Sequence, residues 1–353
     1  SRNCDGFLFL INSKEKKMKQ LLKLSIASVL VAGSITAQAG TLSDVQNKGQ
    51  LSCGVSTTLA GFSSPDSSGT WTGLDVDVCR AVAAATLGDA TKVKYVPLTA
   101  KERFTALQSG EIDMLSRNTT WTMQRDASLG LNFAGINYYD GQGFMVKASI
   151  GVADAMELDG AVFCIQAGTT TELNLADWAG ANGISYESVV SDTNQQTVDN
   201  YVAGRCDVLT SDVSGLASMR AGLDDPSGSI VLGNVISKEP LGPVVRQGDD
   251  EWFNIVKWSL NAMIQAEESG VTSATVDEVT TDPTRERLMG RQDSQTHEYL
   301  HLTPDWSYNI IHQVGNYGES FERNIGVNTP IGLSRGPNQL WTKGGLLYSP
   351  AFR

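Results

Sequence analysis

A loop that follows a predicted β-strand carries three polar side chains able to bind a small ligand. Asn118, Thr120 and Arg125 lie in the sequence NTTWTMQR, shortly after the apolar stretch IDML. An arginine guanidinium is planar and charged, so it can hold a carboxylate through two parallel hydrogen bonds. The amide and the hydroxyl add uncharged hydrogen-bonding groups beside it. This loop therefore favours binding of a carboxylate.

Two further loops supply complementary groups. Thr169 and Thr170 follow Gly168 at the start of a predicted helix, where free backbone N–H groups attract anions. Asp212 follows another predicted strand and offers a carboxylate for an ammonium group. The three loops together match the two charged groups of an α-amino acid. The simpler interpretation of each loop alone is a solvated surface charge or a helix cap.

The sequence contains little that indicates catalysis. The three histidines, His297, His301 and His312, lie in the C-terminal segment, and no P-loop or GxGxxG pattern is found. Glu172 is the best candidate for an acid or base. A glutamate in the first turn of a helix more often interacts with the helix dipole. We therefore predict a binding protein that is not an enzyme and needs no metal or cofactor.

Alternating strands and helices are predicted to position these loops. Strands are predicted over residues 51–56, 92–96 and 112–116, and helices over 75–87 and 99–108. Gly88 and Gly110 end the helices, and Thr99 with Glu102 matches a capping box. This order predicts a parallel sheet with helices on both faces.

The same order of elements then restarts. Strands are predicted over 161–166, 185–190 and 206–210, and helices over 170–179 and 197–202. The turn GEIDML around Asp113 resembles GRCDVL around Asp207, and Asn118 and Asp212 each follow five residues later. Chance similarity of ordinary turns is possible for one match, but the shared order favours two homologous lobes. Ligands bind beyond the carboxyl ends of such strands, so Asn118 and Asp212 are expected to face each other across a cleft.

Length, composition and net charge exclude several classes of protein. The chain has 353 residues, of which 41% are hydrophobic, and a formal net charge of −12. This hydrophobic content excludes a disordered or fibrous chain, and the length favours two domains. Nucleic-acid binding requires clustered basic residues, so the acidic balance argues against it.

The first 39 residues are predicted to be absent from the folded protein. From Met18 a short basic stretch precedes an apolar run and the small-residue sequence Ala37-Gln38-Ala39. This pattern indicates a secretory signal peptide over residues 18–39, and residues 1–17 are expected to be upstream or non-native sequence. A membrane anchor is the less favoured alternative because the apolar run is short. We expect an exported chain without direct membrane insertion.

Four cysteines remain in the exported part, and an even number favours disulfides in an oxidising compartment. Three pairings are possible, and the sequence alone does not choose among them. Cys53 and Cys79 lie on a neighbouring strand and helix, and Cys164 and Cys206 lie on two later strands. We therefore predict the pairs 53–79 and 164–206.

From Gly40 to Arg353 the chain resembles the periplasmic solute-binding proteins of polar amino-acid ABC transporters, family 3. It is most similar to the general L-amino-acid binding proteins of Gram-negative bacteria. The segments that carry the resemblance include GLDVDVCRAVAAA, RFTALQSGEIDMLSRNTTWT, GTTTELNLADW, GRCDVLTSD and LWTKGGLLYSPAFR. The resemblance implies the periplasmic-binding-protein type II fold, in which two α/β lobes joined by a two-segment hinge close on a ligand.

The resemblance also implies lobe boundaries. The chain is expected to cross between lobes at residues 138–146 and to return near 236–244. The first lobe would then comprise residues 40–140 and 245–353, and the second residues 141–244. The C-terminal extension after about residue 277 is expected to pack on the lobes.

The resemblance assigns roles to the loop residues named above. Arg125 and Thr120 would bind the ligand carboxylate, and Asp212 would bind the ammonium group. Further donors would come from Asn118, Thr169 and Thr170. Binders of basic amino acids carry an acid and an aromatic residue where this chain has Ser56 and Leu59. That difference favours a neutral or broad specificity pocket.

These features predict a monomeric periplasmic receptor of a Gram-negative bacterium. It would capture L-amino acids, with broad specificity, and deliver them to the membrane permease of an ABC transporter. The alternative is a periplasmic enzyme of the same fold, such as a dehydratase that acts on a carboxylated small molecule.

Overall fold

The computed structural model describes residues 40–291 and 294–353. The predicted upstream segment 1–17 and signal peptide 18–39 lie outside the described residues. In the described ranges no helix combines the length and apolar character needed to cross a lipid bilayer. Two five-stranded sheets dominate the architecture, and two smaller strand pairs accompany them.

The first part of the chain supplies four strands of the first sheet. Strand β1 has the predicted bounds, and its Leu51, Cys53 and Val55 side chains are buried in the core. The elements in chain order are α1 (Thr41–Lys48), β1 (Leu51–Ser56), β2 (Ser64–Pro65), β3 (Trp71–Thr72), α2 (Leu74–Leu87), β4 (Val93–Leu98), α3 (Arg103–Ser109), β5 (Met114–Leu115), α4 (Met123–Ser128) and β6 (Leu131–Phe133).

The middle of the chain builds the second sheet and returns to the first. Its elements are β7 (Tyr138–Asp140), β8 (Gln142–Lys147), β9 (Val162–Gln166), α5 (Thr170–Asn182), β10 (Glu187–Ser191), α6 (Asn194–Val202), β11 (Val208–Asp212), α7 (Val213–Ala221), β12 (Ser229–Val231), β13 (Glu239–Leu241) and β14 (Val244–Arg246).

Both sheets have the same topology, but neither is purely parallel as predicted. The strand orders are β4-β1-β5-β14-β6 and β10-β9-β11-β8-β12. In each sheet the first three strands are parallel, and the fourth runs antiparallel to its neighbours. The fourth strand, β14 or β8, directly follows β13 or β7, so it enters its sheet from the opposite direction. Each sheet is therefore mixed because its fourth strand comes from a segment that has crossed over from the other sheet.

Two helices begin three or four residues away from the predicted start. The predicted helix 197–202 begins at Asn194, because the Thr193 side chain accepts a hydrogen bond from the Gln196 N–H and caps the helix there. The predicted helix 99–108 begins at Arg103. The Thr99 and Glu102 side chains bond to each other's backbone N–H groups, so the predicted capping contacts form in the turn before that helix.

A short two-stranded ladder connects the two sheets. Strand β7 pairs antiparallel with β13, with Asp140 opposite Glu239 and Tyr138 opposite Leu241. The loop that follows β5 joins this ladder, since the Trp121 N–H donates to the Pro240 carbonyl at 2.7 Å. The ladder thus ties one predicted ligand-binding loop to both chain crossings.

The C-terminal part of the chain packs into the core of the first sheet. Trp252, Trp306, Tyr317 and Phe321 are buried in the same apolar cluster as the β1 side chains. The helices of this part are α8 (Asp250–Glu268), α9 (Pro283–Leu288), α10 (Thr296–Leu300), α11 (Trp306–Gln313) and α12 (Tyr317–Asn324). The extension is therefore an integral part of the fold.

One residue of this extension bonds to the backbone of the ladder. The Asn338 side chain accepts a hydrogen bond from the Tyr139 N–H at 2.7 Å and donates one to the Tyr139 carbonyl at 3.1 Å. The Tyr317 hydroxyl donates to the Asn137 carbonyl at 2.7 Å, just before β7. The extension thus satisfies backbone groups of β7 as a neighbouring strand would.

Both predicted disulfides are present. Cys53 on β1 pairs with Cys79 on α2, and Cys164 on β9 pairs with Cys206 just before β11. Each bond links a strand of one sheet to a neighbouring helix or loop that packs on the same sheet. Each disulfide therefore lies within one half of the fold.

Candidate functional site

A cavity lies at the carboxyl ends of the parallel strands of both sheets. About 370 Å³ of space that protein atoms do not occupy, part of it open solvent, lies among its lining residues. Of the eight predicted ligand-binding residues, six line it: Leu59, Asn118, Thr120, Thr169, Thr170 and Asp212. The two that do not line it are Ser56 and Arg125.

Asp212 is the last residue of β11 and directly precedes α7. Its carboxylate is available to a ligand. Its side chain is buried and makes no capping hydrogen bond to the helix. Burial, with the nearby charges of Asp140 and Glu239, holds the pKa of Asp212 well above its ordinary value. No Lys, Arg or His nitrogen of the described residues lies within 4.0 Å of it. A cationic ligand group beside Asp212 would therefore be stabilised strongly.

The hydroxyls of Thr120 and Thr170 converge on a glutamate that the sequence did not single out. Glu239, on β13, is buried and accepts hydrogen bonds from Thr120 Oγ1 at 2.6 Å and Thr170 Oγ1 at 2.9 Å. Asn174 and Ser237 donate to its other oxygen at 2.6 Å each. Because a hydroxyl has one hydrogen, both threonines can only accept a further hydrogen bond.

Helix α5 brings a second set of donors to the cavity. Its first residue is Thr170, and the Thr169 hydroxyl before it donates to the Gln166 carbonyl at 2.7 Å. The Thr169 side chain therefore does not cap the helix. Backbone N–H groups in the first turn of a helix lack partners within that helix. They attract a negatively charged ligand group.

Asn118 faces Asp212 from the other sheet, as the sequence predicts, with both residues lining the same cavity. Its φ of 32° is in the left-handed region, which is uncommon for residues other than glycine. Its N–H donates to the buried carboxylate of Asp75 at 2.7 Å, a contact that holds this conformation. Unusual backbone conformations of this kind cluster at functional sites.

Arg125 lies beside the cavity rather than in its lining. Its Nη1 donates to the Thr120 carbonyl at 2.9 Å, and its guanidinium lies 5.2 Å from the centre of the Phe104 ring. Burial lowers the pKa of Arg125, and the charges of Glu239 and Asp212 oppose that effect. Ser56 is also buried, with its N–H donating to Ser63 Oγ at 3.0 Å.

Two arginines that the sequence did not single out line the cavity instead. Arg103 begins α3 and Arg117 follows β5, and both side chains are buried. Arg103 donates weakly to Thr119 Oγ1 and to the Gly168 carbonyl, at 3.4 Å each. Arg117 Nε donates to the Leu98 carbonyl at 3.0 Å. The cavity therefore has more positive side chains than the sequence predicted.

Comparison with known proteins agrees with this geometry. Residues 51–273 match the bacterial extracellular solute-binding proteins, family 3. The chain belongs to this family. The resemblance seen in the sequence is thereby confirmed.

Individual relatives of this family 3 protein cover nearly its whole length. The general L-amino acid-binding periplasmic protein of Rhizobium johnstonii is 55% identical, over 95% of this chain and 99% of that protein. The glutamate/glutamine/aspartate/asparagine-binding protein of Rhodobacter capsulatus is 52% identical, over 92% and 96%. A periplasmic binding protein structure from Brucella ovis, with glutathione bound, is 53% identical, with a TM-score of 0.88 over 90% and 100%. These matches confirm the predicted two-lobe fold.

The residue that the sequence favoured for acid–base chemistry has a structural contact in this family 3 protein. Glu172, in the first turn of α5, accepts a hydrogen bond from the Gly168 N–H at 2.9 Å. It is not among the residues that line the cavity. Glu172 therefore bonds to the backbone just before α5.

The sequence also contains HEYLH, residues 297–301, which matches the HExxH pattern of zinc peptidases. In the structure it does not assemble a metal site. Helix α10 ends at Leu300, and His301 takes a left-handed conformation in which Nδ1 contacts Glu251. His297 Nδ1 instead lies 3.1 Å from the Ser294 carbonyl oxygen. No cluster of three potential metal ligands is found in residues 40–291 and 294–353.

Proposed function

We infer that the protein is a periplasmic receptor that captures an L-amino acid in the cavity and delivers it to the membrane permease of an ABC transporter. Family membership and the near-complete coverage of amino-acid-binding relatives support this function. The observation that carries it is the position of Asp212, a buried carboxylate without a cationic partner among residues 40–291 and 294–353, opposite a loop and a helix start rich in donors.

The ammonium group of the ligand binds to Asp212 and to the Thr120 hydroxyl. Because Thr120 Oγ1 donates its hydrogen to Glu239, its lone pairs remain for an ammonium N–H. The resemblance implied that Thr120 binds the carboxylate; because its hydroxyl donates to Glu239, we propose instead that it binds the ammonium group. Asn118 lines the cavity with Asp212, and its side chain partly offsets the rise in the Asp212 pKa.

The α-carboxylate of the ligand binds to Arg125 and to the first-turn N–H groups of α5. Arg125 uses one of its five N–H donors for the Thr120 carbonyl, so four remain for the ligand. The Phe104 ring packs against one face of the guanidinium and helps to fix its orientation. Thr169 and Thr170 contribute backbone donors, since the structure engages both hydroxyls elsewhere. Ser56 and Leu59 add no charge near the side chain of the ligand.

The two lobes comprise residues 40–140 with 245–353, and residues 141–244, and they close about the β7–β13 ladder. Away from the ladder, side-chain contacts also join the proposed lobes. Lys101 Nζ lies 2.7 Å from Asp192 Oδ1, and Ser218 Oγ donates to the Ala60 carbonyl at 2.6 Å. Arg103 reaches the Gly168 carbonyl at 3.4 Å. Ligand binding adds interactions from both lobes and so favours closure.

Calorimetric titration of the purified chain, after unfolding and refolding to remove bound ligand, tests this function. We expect at least one of the twenty L-amino acids to bind, and its N-acetyl and carboxamide derivatives to bind at least 100-fold more weakly. Binding of the blocked derivatives as tight as that of the parent amino acid would refute the function, as would the absence of any binding.

The receptor function includes no chemical step on the ligand, and the position of Glu172, bonded to the Gly168 N–H outside the cavity lining, supports this. Mass spectrometry of the ligand after prolonged incubation is expected to recover it unchanged. Loss of water from the ligand would instead support the dehydratase alternative.

A further inference from the structure

Three buried arginines surround the cavity without a carboxylate partner. The exposed fractions are 2% for Arg103, 1% for Arg117 and 8% for Arg125. Among the described residues, no Asp or Glu oxygen lies within 4.0 Å of any of the three. Buried charges in proteins are normally paired, so this arrangement requires an explanation.

The chain itself shows how a buried arginine with a purely structural role is satisfied. Arg335, which is 9% exposed, binds both oxygens of Glu267 at 3.0 Å each. Its Nε also donates to the Asn338 carbonyl at 2.9 Å. Arg103 and Arg117 differ from it, because Arg103 Nε and Arg117 Nη2 are buried and have no hydrogen-bond partner among the described residues.

Nearby acids do not replace the missing partners. Asp75 is the acid whose charge acts most strongly on Arg117, but Ser116, Asn118 and Asn137 already donate to its oxygens. Asp212 acts on Arg103 from a distance and is assigned to the ammonium group of the ligand. The two arginines therefore face the cavity as uncompensated donors.

The electrostatics of the pair favour an anion between them. Burial, followed by repulsion from Arg117 and Arg125, lowers the pKa of Arg103 well below its ordinary value. Burial also lowers the pKa of Arg117 to about 10, so it remains charged at neutral pH. An anion in contact with both guanidinium groups would relieve the repulsion and satisfy the free N–H donors.

An α-amino acid has one α-carboxylate, which the proposed function assigns to Arg125 and the start of α5. We propose that Arg103 and Arg117 form a second anion-binding pocket, which takes the side-chain carboxylate of the ligand. The pocket makes acidic amino acids the preferred ligands, with amide side chains next, because an amide oxygen can accept from the same donors. This inference rests on the proposed function and names its substrate class.

The test compares L-glutamate, L-glutamine and L-alanine by calorimetric titration of the wild-type chain and of Arg117→Gln. In the wild type we expect glutamate to bind most tightly, glutamine next and alanine weakest. Arg117→Gln is expected to weaken glutamate binding about 100-fold while it changes alanine binding less than about threefold. Arg220→Gln removes an equal charge from an exposed position and should leave all three affinities unchanged.

The outcomes separate this inference from the proposed function. If alanine binds the wild type as tightly as glutamate does, the second pocket is refuted while amino-acid binding stands. If Arg117→Gln weakens both ligands equally, Arg117 does not read the side chain and the inference is also wrong. Should Arg117→Gln fail to fold, Arg117→Lys keeps the charge. In a folded Arg117→Lys protein the loss of the planar fork should weaken glutamate binding while alanine binding changes less than about threefold, and an equal loss for both ligands would refute the pocket.

Discussion

Replacing Asp212 with asparagine is expected to abolish tight amino-acid binding without loss of folding stability. Asp212 is 7% exposed, and no cationic nitrogen of the described chain lies within 4.0 Å of it. Its charge therefore contributes to ligand binding rather than to an ion pair within the protein. Asparagine has nearly the same shape but carries no charge to pair with an ammonium group.

The expected loss of binding free energy follows from the burial of the ion pair between Asp212 and the ligand ammonium group. Removing one partner of a buried, hydrogen-bonded charge pair costs about 2–5 kcal/mol of binding free energy. At about 1.4 kcal/mol for each factor of ten, the dissociation constant should rise about 30-fold to several thousand-fold. Burial already raises the pKa of Asp212 and disfavours its charged form, so the ligand-free variant should be as stable as the wild type or more stable.

Calorimetric titration measures the affinity, and urea unfolding of the ligand-free proteins measures the stability. Asp177→Asn is a matched control, because Asp177 is an exposed residue on α5 and loses the same charge. The reasoning is refuted if Asp212→Asn weakens binding by less than about 0.5 kcal/mol, roughly twofold. A large fall in stability of the ligand-free variant would show that Asp212 serves the fold instead.

Three other variants test separate parts of the structure. Arg125→Ala should abolish amino-acid binding and leave the circular dichroism spectrum unchanged; near-wild-type affinity would place the carboxylate elsewhere. Burial raises the pKa of Asp140 from 3.8 to about 6, so the folded form binds more protons and the free energy of unfolding should fall as pH rises from about 4 to 6. Asp140→Asn should flatten that slope in urea unfolding, and an unchanged slope would contradict the shift. The double change Cys164→Ala with Cys206→Ala opens a link across 42 residues and should lower stability by about 4 kcal/mol. A loss below about 1 kcal/mol in the same assay would contradict that entropy estimate.

Local sequence signals predicted the elements that position the site. Strand β1 and the ends of α2 and α3 follow from an apolar run and from glycines in the left-handed conformation. The disulfides followed from the placement of the cysteines on neighbouring elements. The reversed fourth strand of each sheet did not follow, because its direction depends on where the chain crosses between sheets rather than on its residues.

The polar groups of the cavity were predicted only in part, for a related reason. Arg103 and Arg117 look like ordinary surface charges in the sequence, because nothing local shows that their side chains are buried. One signal was present, since Arg117 follows closely on the apolar strand β5. The role of Thr120 could not be predicted either, because Glu239, which accepts a hydrogen bond from its hydroxyl, is 119 residues away in the sequence.

The Asn338 contacts with Tyr139 have a mechanical consequence. A hinge strand with a free edge can twist and slide at little cost, whereas β7 has its N–H and carbonyl at Tyr139 held by one side chain. Any motion of β7 that separates these groups must break two hydrogen bonds or carry the C-terminal segment with it. We therefore expect the C-terminal segment to stiffen β7 at Tyr139, so that any bending of this strand falls on residues beyond it.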